Sequence, residues 1–105
     1  MTTYKLSWQQ LDKLVFKYLD KILADLHHVY KDISLGEFIE TWTLPNNDYP
    51  TFTLSSYGTL SISKNLISFI SNFFSIDIDS ASKSIKRWCK KRLDINFFYQ
   101  SVITP

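Results

Sequence analysis

The segment Ser80-Ala81-Ser82-Lys83-Ser84-Ile85-Lys86-Arg87-Trp88-Cys89-Lys90-Lys91-Arg92-Leu93 carries six of the twelve Lys and Arg residues of the 105-residue chain, and no carboxylate interrupts it. At about 100° per residue, Ala81, Ile85, Trp88, Cys89 and Leu93 fall on one side of a helix. Lys83, Lys86, Arg87, Lys90 and Lys91 fall on the other, and only Arg92 strays toward the apolar side. Asp77 and Asp79 precede the segment, where carboxylates favour a helix N-terminus, and Ser80 or Asp79 can serve as the N-cap. The pattern predicts a helix anchored by one face and offering a cationic ridge on the other.

The rest of the chain is less basic. Residues 1–79 hold six Lys against nine Asp or Glu, a net −3, whereas residues 80–105 hold six basic residues against Asp94, a net +5. That asymmetry points to a polyanionic partner more than the overall +2 does. A length of 105 residues suits one domain, and 45% hydrophobic content excludes disorder as the default. With 16% aromatics, a small core can gain its burial from large rings. A lone Cys89 excludes an internal disulfide. No signal-like or membrane-spanning apolar run is present, so the expectation is a cytoplasmic protein.

Upstream, Ser7 and Gln10 form a capping-box pattern, and Leu6 can staple onto Leu11. Leu11, Val15, Tyr18, Ile22, Leu26 and Val29 recur at spacings of three and four, predicting a long helix over 8–31. Lys13, Lys17 and Lys21 on its flank read as a solvated face, and His27 and His28 as polar residues at a frayed end. A second capping box, Ser34 to Glu37, precedes Leu35, Phe38, Ile39 and Trp42 at the spacing of a short helix. Residues 44–50 (LPNNDYP) form a turn-rich loop. Over 51–63 the period changes: Phe52 and Leu54, then Leu60 and Ile62, alternate with Thr and Ser about Gly58, as in a small β-hairpin. Leu66 to Ile76 is apolar around most of a helix, which predicts a central core helix. Ile95, Phe98, Tyr99, Val102 and Ile103 predict a last helix.

The fold expected is therefore mainly α (α+β): a single compact helical domain over 1–105 with one small β-hairpin. Its C-terminal half, a core helix, a short break and the basic helix over 64–93, has the order of a helix-turn-helix or winged-helix-like unit. In such a unit Lys83, Lys86, Arg87, Lys90 and Lys91 supply phosphate contacts, while Ser80, Ser82 and Ser84 can reach base edges. Trp88 is expected in a core shared with Ile85, Phe73 and Ile70.

Phe74-Ser75-Ile76-Asp77-Ile78, the spaced Lys83 and Ile85, the run Lys90-Lys91-Arg92 and then Phe97-Phe98-Tyr99 resemble the C-terminal segment of RteC-type regulators of Bacteroides mobile elements. There a Phe-polar-Ile-Asp-Leu stretch ends one helix, and an Arg/Lys cluster precedes a Phe-Leu-Asp helix. The resemblance covers about a third of the chain; Tyr4-Lys5-Leu6-Ser7-Trp8 is loosely similar to an upstream family element. It implies a helical, winged-helix-like DNA-binding domain that regulates element excision and transfer.

Catalysis finds little support in the sequence: Cys89 beside Lys90 reads as a small core residue before a nucleophile, and Asp77 and Asp79 as helix caps before metal ligands. Gly36 and Gly58 are the only glycines, so no phosphate loop exists, and the His, Cys and Asp residues do not make a ligand set for a metal. No catalytic residue, cofactor or metal is expected. Two functions fit: a small DNA-binding regulator from a mobile element or phage, or a non-enzymatic inhibitor or adaptor that sets the same basic face on an acidic protein. Transcription regulation through a palindromic site implies a homodimer, for which the sequence shows no dedicated seam.

Overall fold

The structure, a computed structural model, describes residues 7–103. In chain order it contains α1 (Trp8–Ile22), β1 (His27–Ser34), β2 (Glu37–Thr43), β3 (Phe52–Ser55), β4 (Thr59–Ser63), α2 (Lys64–Phe74), α3 (Ile78–Arg92) and β5 (Tyr99–Ile103). The expectation of a mainly α domain with one hairpin is overturned. The fold is α+β, with three helices against a five-stranded sheet of order β1-β2-β3-β4-β5. The first four strands form an antiparallel meander, and β5 lies parallel to β4.

The capping box of α1 forms as expected. Ser7 Oγ accepts from the Gln10 amide at 3.3 Å, and Gln10 Oε1 accepts from the Ser7 N–H at 3.0 Å. The Leu6 staple lies outside the described residues. The helix stops at Ile22 instead of running to residue 31, and His27–Ser34 pair as a strand with Glu37–Thr43. The second capping-box pattern is a hairpin turn: Leu35 and Gly36 take φ of 46° and 82°. Two successive left-handed residues match the twist of the flanking strands, the geometry favoured in two-residue hairpin loops. Glycine enters that region freely and leucine at some cost. The helix expected from Leu35 through Trp42 is thus β2, and His27 and His28 point to opposite faces of β1.

The 51–63 hairpin is present as β3 and β4, with Gly58 at φ 83° in the turn. Across strands, Trp42 stands opposite Phe52, Phe52 opposite Ile62, and Leu54 opposite Leu60. These residues are buried, so this face carries the helices, where Val15, Leu19, Ile67, Ile70, Ile85 and Trp88 complete the core. The reverse face aligns Thr41, Thr53 and Ser61.

Helix α2 ends on Ser75 in the left-handed region (φ 53°), and Asp77, not Asp79 or Ser80, caps α3 by accepting from the Ser80 amide at 2.6 Å. α2 is not enclosed on all sides. Leu66, Ile67 and Ile70 are buried, but Phe73, expected beside Trp88, is 56% exposed and stacks on Tyr18 of α1 at 4.3 Å. The last predicted helix is β5. Asp94 at φ 52° turns the chain, and Gly58 O accepts the Phe98 and Tyr99 amides at 2.8 and 3.2 Å, which starts the pairing with β4. The chain beyond α3 thus adds one strand to the main sheet, and the winged-helix arrangement is not adopted.

The β1–β2 hairpin reaches beyond the helices. The molecule measures 58 × 29 × 22 Å, with a radius of gyration of 14.5 Å against about 13 Å for a compact chain of this length. Every residue of β1 is exposed.

Candidate nucleic-acid interface on α3

Helix α3 is held by its apolar side and by two carboxylates of α1. Ala81, Ile85, Trp88 and Cys89 are buried, and the Trp88 ring lies 5.8 Å from that of Phe52. Trp88 Nε1 donates to Asp20 Oδ1 at 2.8 Å, and Arg92 donates to both Asp20 oxygens at 2.8 and 2.9 Å. The Arg92 guanidinium holds the Asp20 carboxyl below the usual carboxylate range, and Asp20 in turn raises Arg92. One turn before Trp88, Ser84 Oγ donates to Asp12 Oδ1 at 2.6 Å, and Arg87 forks onto Asp12, with Nη2 2.9 Å from Oδ1. Asp12 meets the start of this stretch and Asp20 its end, so α1 and α3 run in the same sense. Two acids that interrupt the Lys13, Lys17, Lys21 line in sequence turn inward onto α3.

The predicted site residues therefore separate into two groups. Ser82 is buried against Gln100 of β5, with which it shares a hydrogen bond, and Ser84 is fully enclosed. Neither is placed to reach a base edge. Arg87, expected on the ridge, is a structural residue whose guanidinium also lies 5.1 Å above the Trp8 ring. Arg92 strays toward the anchored side, as the helical projection predicts.

The second group faces outward. Lys83, Lys86 and Lys90 follow one another at i, i+3 and i+7, a line of about 10 Å along the helix. Lys91 is exposed beside them. Lys83 meets Asp79 at 3.0 Å, with both side chains more than half exposed, a contact of little energetic weight. Among the described residues no carboxylate lies within 4 Å of Lys86, Lys90 or Lys91. Lys90 Nζ sits 4.9 Å from the Phe97 ring centre. Lys83, Lys86, Arg87, Lys90 and Phe97 together line a shallow cleft of about 150 Å³. Ser80 is partly exposed and borders a neighbouring cleft with Trp8, Leu11, Lys83 and Arg87.

Sequence reasoning passed over two aromatics that flank the ridge. Trp8 is 57% exposed and stands out as an aromatic in the otherwise polar first turn of α1. Phe97 enters the sequence reading only within the Phe97-Phe98-Tyr99 motif of the family resemblance, with no role at the ridge. Burial pushes the Cys89 thiol up, which fits a core residue and not a nucleophile. His28 hydrogen-bonds Glu40 at 2.9 Å and stacks on Trp42. Among the described residues no three His, Cys, Asp or Glu gather as a metal site, and no helix is long and apolar enough to cross a membrane. No protein-family model, curated protein or solved structure matches the chain.

Proposed function

We propose that the chain is a small non-enzymatic DNA-binding protein that meets duplex phosphates through Lys83, Lys86, Lys90 and Lys91. The observation that carries this reading is the outward line of lysines with no carboxylate partner beyond Asp79 among the described residues, on a helix fixed from behind by Asp12 and Asp20. Lysines on a rigid helix attract phosphate without reading bases, so binding is dominated by the backbone and depends on salt. Ser80 is the serine left near the ridge surface; with Ser82 and Ser84 enclosed, sequence preference is weak. A regulatory role in the excision and transfer of a mobile element rests on the RteC-type resemblance alone.

The test is a salt titration with duplex DNA. Each lost phosphate contact lowers the slope of log affinity against log salt by about 0.9, so Lys86→Ala with Lys90→Ala should flatten it by about two units. Both side chains project from the solvent side of α3, so the variant stays folded. An unchanged slope and affinity in a folded variant ends the reading. Equal binding of the wild type to poly-glutamate and to DNA would favour the alternative, an acidic protein partner.

A further inference from the structure

We propose that two copies of this chain associate through β1, edge to edge and antiparallel, about a two-fold axis perpendicular to the sheet. The inference is independent of the nucleic-acid reading, since the strand contains none of the α3 lysines. β1 is the terminal strand of the sheet, eight residues long and exposed along its whole length. Alternate residues of such a strand turn their N–H and C=O groups away from the neighbour, a template for another strand. Proteins that keep an edge single shorten it, place proline in it or load it with charge. β1 has no proline, only Lys31 and Asp32 as charged residues, and a single register irregularity between Asp32 and Ser34 near its tip. It exposes Val29, Tyr30 and Ile33 by 54–59%, on an arm that the helices do not cover.

The sequence of β1 suits a second copy of itself, in a register centred on Tyr30. A two-fold perpendicular to the sheet keeps each face on its own side, so one residue must stand opposite its own copy. Centring on Lys31 or Asp32 sets like charges directly across, at Cβ separations of about 5 Å. Centring on Tyr30 sets ring against ring, places His28 opposite Asp32 twice, and lays the Lys31 stem across Val29. Cross-strand aromatic pairs are a stabilising kind, and this register sets no like charges directly across. The same axis leaves both helical layers on one face of a continuous ten-stranded sheet. Residues 27–43 carry Lys31 against Asp32, Glu37 and Glu40, a net −2 per arm. Added salt screens that repulsion and tightens the dimer, the opposite of its effect on phosphate binding.

Sedimentation equilibrium of the full chain reads the mass against concentration and salt. A rise from the 12.4 kDa monomer toward twice that mass, favoured by salt, is expected. Tyr30→Asp should raise the dissociation constant about tenfold or more, because two carboxylates then face each other, with circular dichroism unchanged. In a Cys89→Ser background, Tyr30→Cys should form an intermolecular disulfide on mild oxidation, and Val29→Cys should not. A monomer at every concentration and salt, a dimer indifferent to Tyr30→Asp, or cross-linking at Val29 in place of Tyr30 each overturns the proposal. A wild-type chain that dimerises as described but does not bind duplex DNA would count against the α3 reading alone.

Discussion

Replacing Asp12 by alanine tests the idea that α1 holds α3 through a buried carboxylate. Asp12 is 8% exposed and accepts from Ser84 and Arg87, so Asp12→Ala strips the partner from both. Ser84 is fully enclosed, and a buried hydroxyl without an acceptor costs about 1–3 kcal/mol. The Arg87 side chain is 35% exposed and can turn to water, so the full 3–5 kcal/mol of a broken buried pair does not apply. Together the two losses come to about 2–4 kcal/mol. With a urea slope of about 1.5 kcal/mol per molar, the unfolding midpoint drops by about 2 M. The double variant Asp12→Ala, Ser84→Ala removes the orphaned hydroxyl along with its partner. It should therefore be less destabilised than the sum of the single variants, by about 1–2 kcal/mol. A loss under about 0.5 kcal/mol for Asp12→Ala, or strict additivity in the cycle, would refute the reasoning.

Trp88→Ala should cost about 3–5 kcal/mol in the same assay, because the ring is buried against Phe52 and its N–H is tied to Asp20; a near-normal midpoint would place the indole elsewhere. Acid should destabilise the fold through Asp20 and Asp77, whose carboxyls are lowered by the hydrogen bonds from Arg92 and from Ser80 respectively. Their contribution is full above the unfolded carboxylate range and is lost as pH falls below 3.8 through the lowered folded values, so Asp20→Asn should show a flatter stability profile below pH 4. Cys89 should resist a thiol reagent in the folded protein and react on unfolding, at a rate that follows global opening. Gly58→Ala should lower stability by about 1 kcal/mol or more, because φ is 83° and the new methyl meets the Phe98 ring edge at 2.7 Å; an unaltered midpoint would show that the turn relaxes freely.

The helices and the central hairpin were legible because each buries one face. α1's start, α2, α3 and the Phe52, Leu54, Leu60, Ile62 alternation all carry the period of their element. β1 and β5 were not, for a physical reason: strands exposed on both faces have no need to alternate. In β2, Phe38, Ile39 and Trp42 fall at helical spacing as readily as at strand spacing, and only the backbone at Leu35 and Gly36 decides between them. On α3 the projection separated anchored from outward residues correctly for Trp88, Lys83, Lys86 and Lys90. It missed Arg87, Ser82 and Ser84, because nothing in a single helix reports the acids of α1 or the approach of Gln100.

The parallel pairing of β5 with β4 has a consequence for the order in which the molecule assembles. The meander β1 to β4 joins neighbours through two tight turns and the loop 44–51, whereas Thr59 meets Tyr99 only after about forty intervening residues have folded into α2 and α3. Closing that loop costs about 2 kcal/mol more entropy than closing a turn of about four residues. β5 is therefore the last strand to find its register, and until Gly58 O captures the Phe98 and Tyr99 amides, β4 stands bare. A partly folded chain thus presents β4, a strand that is internal in the finished sheet, as a bare edge opposite β1, and that strand stays open to mispairing during refolding until β5 arrives to take its place at the edge.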